Sequence, residues 1–340
     1  ALTSDQVGAL EAADLAVLST AQIRAIDAAD LVALGSAQIQ ALTTAQAAAL
    51  TTAQVAALAP TQVAALETAD LAALGTAQIQ AMSSAQLAAL SSVQLQALTV
   101  AQVKAIETAD LAALSANLVN KLTTVQVQAL TSAQLIALTT TQVESLTTVQ
   151  VAALTTAQIQ ALQTDDVAAM TPAQIIALTT AQAAALTGAQ LAALTVDQIA
   201  ALQTADLAAI STLVIPSLSV GQIAALSEAQ VAALTTAQIA AMQTADLAAL
   251  SADQVVALTS AQVAALTTAQ LSNLTTAQIE ALEVADLQVL NTAQIAALTT
   301  AQIRALSQAQ VAALSTTQVR ALETADVAVL TSDQLAALTT

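Results

Sequence analysis

The stretch LTTAQIQA, residues 154–161, carries the pattern that decides the fold of this chain. A Leu, Ile or Met recurs at every eighth residue from Leu2 to Leu338, and the position five residues after it is apolar in all 42 complete octads. No insertion interrupts this spacing in a chain of 340 residues. A fixed short repeat of this kind predicts one elongated array of stacked units, and it argues against two or three globular domains.

The start of a helix is encoded in every octad. We number the octad from its Leu, so that positions two to five read Ser/Thr-x-x-Gln. This is a capping box, in which the N-cap hydroxyl accepts from the N3 amide and the Gln side chain reaches back. Positions one and six have the spacing of a hydrophobic staple around the same helix start. Pro60 and Pro172 both stand at position three, the first helical position, where a missing amide hydrogen costs nothing.

Two other architectures fit the octad less well. A continuous α-helix would rotate the Leu stripe by roughly 80° per octad, so the apolar seam would wind around the rod. A β-solenoid would need more Gly than the five present and fewer Ala, Gln and Leu residues. We therefore predict an all-α solenoid with one very short helix per octad, of about six or seven residues, held by stacking. The predicted core consists of positions one and six, joined by the Ala residues of positions four and eight.

A second period runs through the array, because Asp replaces Gln at position five in nine octads, always with an acid or Gln at position two. Most of these Asp octads recur every 40 residues, which predicts about five repeats per coil and a column of stacked Asp octads. Octads 114–121 and 210–217 depart from the consensus, and Pro216 lies late in the second, so distorted helices are expected in both. The nine residues are Asp14, Asp30, Asp70, Asp110, Asp166, Asp206, Asp246, Asp286 and Asp326.

The composition argues against catalysis and against nucleic-acid binding. The chain has no His, Cys, Trp, Tyr or Phe, and its 23 acidic and five basic residues give a net charge of −18. The usual proton shuttle, the thiol nucleophile and the aromatic stacking platform are therefore missing, and phosphate backbones are repelled. No apolar segment is long enough to cross a membrane. We expect a protein that is not an enzyme, binds no nucleic acid and has no membrane span.

The Asp octads are the most tempting candidate for a binding site, because stacked carboxylates could hold calcium. Each Asp octad supplies only one or two carboxylates, even at the dense pair Asp165 and Asp166, whereas calcium takes about six to eight oxygen ligands. Pairing of these acids with the N-terminal end of a helix dipole explains the same pattern. We assign no catalytic, cofactor-binding or metal-binding residue, and calcium stays an open alternative.

The consensus runs unchanged toward both ends of the sequence, without a polar capping repeat. Residues 1–340 are therefore expected to be a single uninterrupted solenoid. Either it is a segment of a longer array, or successive copies stack end to end into a filament. In both cases the expected partner of the chain is another stretch of the same repeat.

Two family resemblances follow from these motifs. The stretch MTPAQIIAL, residues 170–178, resembles the first helix of TAL-effector repeats. That resemblance implies only the geometry of a capped helix, because the second helix, the base-reading loop and the longer period of that family are absent. The run L-(T/S)-T-A-Q-(V/I)-x-A-L over all 340 residues resembles octapeptide-repeat arrays of large secreted or surface proteins of Gram-negative bacteria. This second resemblance implies export and a structural or adhesive role.

We predict a non-enzymatic structural repeat protein that forms an extended stalk or a self-assembling filament at the bacterial cell surface. The alternative is a solenoid binding module, or an adhesin spacer, for a peptide, a glycan or a divalent cation. The exposed position seven distinguishes the two, because a binding face concentrates aromatic, polar or charged residues. Position seven holds mostly Ala, with Gln, Arg, Lys, Glu, Ser, Val and Ile scattered among the octads, which favours the structural role.

Overall fold

Short helices make up the whole chain. The computed structural model describes residues 3–338 and has, within that range, 41 α-helices, one 3₁₀-helix and no strand. Each α-helix begins at position three of its octad and is four to six residues long. Contacts group the chain into two compact units, Ala1–Met170 and Thr171–Thr340, and each is described by itself.

The first unit contains helices α1 to α21. They are α1 (Ser4–Gly8), α2 (Ala12–Val17), α3 (Thr20–Arg24), α4 (Ala28–Leu31), α5 (Ser36–Gln40), α6 (Thr44–Ala49), α7 (Thr52–Ala57), α8 (Pro60–Ala65), α9 (Thr68–Ala73), α10 (Thr76–Gln80), α11 (Ser84–Ala88), α12 (Ser92–Ala97), α13 (Val100–Ala105), α14 (Thr108–Ala113), α15 (Ala116–Val119), α16 (Thr124–Ala129), α17 (Ser132–Ala137), α18 (Thr140–Ser145), α19 (Thr148–Ala153), α20 (Thr156–Ala161) and α21 (Thr164–Ala169).

The second unit contains helices α22 to α41 and the 3₁₀-helix η1, which lies between α26 and α27. They are α22 (Pro172–Ile176), α23 (Thr180–Ala184), α24 (Gly188–Ala193), α25 (Val196–Ala201), α26 (Thr204–Ala209), η1 (Ile215–Ser217), α27 (Val220–Ala224), α28 (Glu228–Ala233), α29 (Thr236–Ala241), α30 (Thr244–Ala248), α31 (Ala252–Val256), α32 (Ser260–Ala264), α33 (Thr268–Ser272), α34 (Thr276–Ala281), α35 (Val284–Gln288), α36 (Thr292–Ala296), α37 (Thr300–Ala305), α38 (Gln308–Ala312), α39 (Thr316–Ala321), α40 (Thr324–Val329) and α41 (Ser332–Ala337).

The predicted capping box is present in most octads, as the octad of α7 illustrates. The Thr51 hydroxyl accepts from the Gln54 amide at 3.1 Å, and the Thr51 amide donates to Oε1 of Gln54 at 2.8 Å. Leu50 and Thr51 both have extended backbone, with ψ of 138° and 161°, so two residues in every octad form the bend. Because the bend takes these two residues, the helices are slightly shorter than the six or seven residues expected.

The core consists of positions one and six, as predicted, with Leu50 and Val55 as a representative pair. The expectation for Ala at position four is wrong, and at position eight it is confirmed only in part, because Ala105 and Ala129 are buried there and most others are not. Ala53 at position four is exposed and Ala57 at position eight is only half-buried, whereas Gln54 at position five is 2% exposed. The inner surface is therefore formed by two apolar side chains and one polar side chain from each octad, because the Gln turns toward the neighbouring coil.

The expected five repeats per coil are wrong, because neighbouring coils meet after three to four octads. Helix α4 packs on α7 and α13 packs on α16, each pair being three octads apart. Side chains also bridge the coils over 28 and 31 residues, which correspond to 3.5 and 3.9 octads. The bend within each octad sets this turn. The 40-residue recurrence of Asp octads is a period of the sequence and does not correspond to one turn of the coil.

The two irregular octads are distorted, as expected. In octad 114–121 the helix α15 is only four residues long, and octad 210–217 has a 3₁₀-helix in place of an α-helix. Both octads have an apolar residue, Leu118 or Val214, at position five, and both of these side chains are only partly buried. An apolar residue at position five therefore accompanies a shorter or tighter helix, whereas most Asp octads without a capping box keep six-residue helices, as in α9.

Candidate functional site

The seam between successive coils is the candidate functional site, because one Gln per octad bridges it. Nε2 of Gln54 donates to the carbonyl oxygens of Ile23 and Ile26, both at 2.8 Å. The same pair of bonds, over 31 and 28 residues, recurs at Gln270 with distances of 2.9 and 2.8 Å. These bonds are buried, and leaving a buried carbonyl without a donor costs about 1–3 kcal/mol.

The side chain at position five both caps its own helix and bridges to the preceding coil, and only Gln can make both sets of hydrogen bonds. Oε1 of Gln accepts the amide of its own N-cap residue, while both hydrogens of Nε2 go to the preceding coil. A Glu would satisfy the capping box but has no hydrogen to donate when it is ionised. The bridging role was missed from the sequence. Its signal was there, since position five holds Gln in 31 of 42 octads and never Glu.

Four Asp octads, those of Asp30, Asp110, Asp206 and Asp286, use a different bridge. Oδ1 of the Asp accepts a hydrogen bond from a hydroxyl at position three, 26 residues earlier. The donors are Ser84 for Asp110 at 2.6 Å and Ser260 for Asp286 at 2.7 Å. The shorter Asp side chain therefore exchanges the roles of the coils, because here the earlier coil donates and the later coil accepts.

Position two compensates for part of the lost Gln bridge in three Asp octads. There the residue at position two is Gln, and its Nε2 donates to a position-seven carbonyl 27 residues earlier. The bonds run from Gln163 to Ile136 at 2.8 Å, from Gln203 to Ile176 at 2.7 Å and from Gln243 to Pro216 at 2.9 Å. In these three octads one bridging amide is exchanged for another, whereas the other six Asp octads have an acid at position two and no such donor.

Burial makes the Asp octads electrostatically unusual. Oδ2 of Asp166, Asp206 and Asp286 is buried and has no hydrogen-bond partner. Burial raises the pKa of Asp166 above its ordinary value, against the lowering effect of the Gln163 amide and together with the negative charge of Asp165. Burial likewise raises the pKa of Asp246, again opposed by an amide hydrogen bond. The surroundings of Asp166 and Asp246 therefore favour the neutral form of the carboxyl group.

The expected column of Asp octads does not form, because 40 residues exceed the 28 to 31 residues that separate bridged atoms in successive coils. Among residues 3–338 no group of three or more His, Cys, Asp or Glu side chains is arranged to hold a metal ion. Helices of the described chain are also too short and too polar for any of them to cross a membrane.

One surface groove lies between the starts of α28 and α31, with a volume of about 480 Å³. Its lining includes the carboxylates of Glu228 and Asp253 and the hydroxyls of Ser227 and Ser251. These are position-two, position-three and position-four residues of ordinary octads. The groove is thus the normal space between two helix starts in neighbouring coils.

The comparisons with known proteins agree with the repeat. The model of the ALTTAQ repeat family matches ten stretches: residues 7–44, 23–60, 63–100, 103–140, 133–164, 159–196, 199–236, 239–276, 279–316 and 309–340. Several of these matches begin 40 residues apart, at residues 23, 63 and 103 and at 159, 199, 239 and 279, which is the spacing of the Asp octads. No curated protein matches the chain. The family matches cover most of the sequence, and the chain belongs to the ALTTAQ repeat family.

Proposed function

We propose that this chain is a non-enzymatic structural protein that forms an extended stalk or a self-assembling filament at the bacterial cell surface. The observation that carries the proposal is the set of buried hydrogen bonds from position-five Gln residues to the preceding coil, which we call the Gln seam. Buried bonds such as those from Gln54 to Ile23 and Ile26 join one coil to the next. They use a Gln that is found in 31 of 42 octads. A seam that repeats in this way lets an array grow without any new type of contact.

The two faces of a coil are different and complementary. Gln side chains project toward the preceding coil, while the following coil is met by carbonyls and by the position-six side chains. Val311 is 1% exposed, whereas Val327 and Leu335, in the last described octads, are 41% and 45% exposed. An apolar layer of this kind is covered by the next coil elsewhere in the chain. A further coil, whether it continues the same chain or belongs to a second copy, can cover it through the same contacts.

Export to the cell surface belongs to the same proposal. The chain contains no Cys and has 23 acidic residues against five basic residues, a composition compatible with an exported bacterial protein. The resemblance to octapeptide-repeat arrays of secreted and surface proteins points the same way. A high net negative charge keeps an extended array soluble and limits side-to-side association.

The alternative function is that of a binding module or adhesin spacer for a peptide, a glycan or a divalent cation. It is less favoured, because most position-seven residues are Ala and the groove at Glu228 and Asp253 is the ordinary space between two helix starts. A spacer role makes a separate prediction about length. If the array serves only to hold two parts at a distance, adding or removing one octad should not abolish its function.

Negative-stain electron microscopy of the purified 340-residue chain tests assembly. We expect filaments that lengthen with concentration, and we expect the double variant Val327→Glu, Leu335→Glu to shorten them by placing charge on the apolar face. Val93→Glu, Val149→Glu is the matched control, because these side chains are 64% and 65% exposed on the sides of helices. Short particles of one length at all concentrations would contradict the filament. Equal shortening by both variants would contradict stacking through coil faces.

Deleting one octad tests the spacer role. Removal of residues 50–57 leaves every later Gln facing a position-one and a position-six carbonyl, because these acceptors are main-chain groups present in every octad. We expect an intact, slightly shorter solenoid by circular dichroism and thermal unfolding. Removal of residues 54–57 alone is the control, since it destroys the octad spacing and should lower Tm. A similar loss of stability in both deletions would argue against an array that tolerates changes in length.

A further inference from the structure

In the Asp octads the seam lacks the hydrogen-bond donor that Gln provides elsewhere, and we call each such place a gap. Elsewhere Nε2 of Gln donates to the position-one carbonyl 28 residues earlier, as Gln278 does to Leu250 at 2.8 Å. An Asp side chain is one methylene shorter and, when ionised, has no hydrogen to donate. Asp206 and Asp286 are nevertheless 3% and 2% exposed, so solvent cannot fully replace the missing donor.

Each gap contains oxygen atoms that accept no hydrogen bond. Oδ1 of Asp206 accepts from the Thr180 hydroxyl at 2.8 Å, but Oδ2 is buried without a partner. Oδ2 of Asp286 and Oδ2 of Asp166 are buried in the same way. The position-one carbonyls that a Gln would hold in these three places also receive no hydrogen bond within the described part of the chain; they belong to Leu138, Leu178 and Leu258.

A carboxylate in this environment is unfavourable, because a buried negative charge beside carbonyl oxygens is neither solvated nor paired. A neutral carboxyl group has one O–H, which can donate to an acceptor in the preceding coil. Protonation would therefore supply the kind of donor that the Gln amide provides in ordinary octads. It would also remove the buried charge.

The charged groups around these carboxyls give no opposing attraction. Helix α21, with Asp166 and its neighbour Asp165, packs on α18, which contributes Glu144. Helix α26, with Asp206, packs on α23, which has no titratable residue, and on α28, which contributes Glu228. Helix α35, with Asp286, packs on α32 and α38, neither of which is charged, and the N-cap of α35 is Glu283. Within each unit every charged residue named on these elements is acidic, so none of them offers these carboxyls an attractive partner.

We propose that Asp166 is a proton-binding point in the seam, at which mild acidification neutralises the buried carboxyl and tightens the contact between successive coils. The proposal concerns the stability of the fold and does not depend on the stalk or filament function. It adds to the array a response to pH that a repeat with Gln in every octad would lack.

The direction of the pH effect follows from linkage. Burial raises the pKa of Asp166 in the folded chain above its value in an unfolded chain, so the folded state binds protons more tightly. The resulting stability is fully present below the unfolded pKa and is lost as the pH rises through the folded pKa. Acidification from neutral pH should therefore stabilise the chain.

Thermal unfolding of the full chain tests the proposal. From about pH 7 to about pH 4, the wild-type Tm is expected to rise by roughly 2–4 °C. The variant Asp166→Asn carries a neutral donor in the gap and should have a Tm that is higher and depends less on pH. Asp197→Asn is the matched control, because it removes the same charge from an exposed position. This control should keep the wild-type response to pH.

Infrared spectroscopy of the wild-type chain supplies a readout that does not require any variant to fold. As the pH falls from neutrality, it should show a protonated carboxyl group before the exposed acids titrate. The proposal is overturned if no such band appears, or if Asp166→Asn and Asp197→Asn have the same pH dependence. It is also overturned if calcium chloride at neutral pH raises Tm in the wild type but not in Asp166→Asn, since the gap would then be a cation site.

Discussion

Nε2 of Gln54 lies 2.8 Å from the carbonyl oxygen of Ile26, a residue 28 positions earlier in the chain. The same nitrogen also reaches the carbonyl of Ile23. A single side chain thereby joins one coil to the junction between two earlier helices. Because the bond is buried and recurs throughout the array, position five determines how firmly coils hold together.

Replacing Gln54 by Glu should weaken the seam. The variant keeps an acceptor for the capping box but removes both donors and buries a negative charge, so we expect a loss of about 3–5 kcal/mol in the free energy of unfolding. Urea unfolding followed by circular dichroism measures the loss. Gln80→Glu makes the same change of charge at an exposed position and should cost little. Equal effects of the two substitutions would show that net charge, and not the bridge, is responsible.

Replacing Thr235 by Ala should remove a helix cap. Its hydroxyl accepts from the Gln238 amide at 3.1 Å, and loss of such a cap costs about 1 kcal/mol. The neighbouring Thr236 is exposed at position three, so Thr236→Ala should change stability by less than about 0.5 kcal/mol. Chemical unfolding of both variants gives the comparison. A larger loss from the second substitution would contradict the assignment of position two as the cap.

Replacing Ala183 by Leu should overfill the core. Ala183 occupies position six, where most octads have a larger residue, and α23 packs closely on α26, which carries the buried Leu207. An added isobutyl group has to push the coils apart, at a cost of about 1–3 kcal/mol. Ala184→Leu, on the exposed face of the same helix, is the control. A gain in Tm from the first substitution would mean that the site holds an unfilled space.

Replacing Gly188 by Ala should reveal its contact with Ser217. A Cβ at Gly188 would lie 2.6 Å from the Ser217 hydroxyl oxygen, which is too close for either to stay in place. In the Ser217→Ala background the same substitution should stabilise the chain by about 0.4–1 kcal/mol, because it restricts the unfolded state. A double-mutant cycle of Tm or unfolding free energy measures the coupling. Additive effects would contradict the contact.

The sequence predicted the fold well because its strongest signals are local. The capping box of Thr51 and Gln54 and the burial of Leu50 and Val55 depend on spacings within one octad, and both were confirmed. The number of octads per coil depends on the bend at each Leu-Thr pair, and no residue pattern encodes that angle. The 40-residue spacing of Asp octads was therefore mistaken for the turn of the coil.

The bridging role of Gln lay beyond the sequence analysis for a related reason. Within one octad, Gln at position five is already explained by the capping box, so nothing local requires a second partner. The partner carbonyls of Gln54 are 28 and 31 residues away and belong to main-chain groups that carry no side-chain signature. Only the absence of Glu at position five distinguished the two roles.

The bonds from the Nε2 atoms of position-five Gln residues to the neighbouring coil run in one direction, from a later residue to an earlier one, as at Gln54. An octad leaving the ribosome thus finds its acceptors in chain that was made 28 to 31 residues before it. At synthesis rates of roughly 5–20 residues per second, that interval is only a few seconds. Each newly made octad can add to a finished layer without waiting for residues still to be translated, so the array can mature progressively from its N-terminal side.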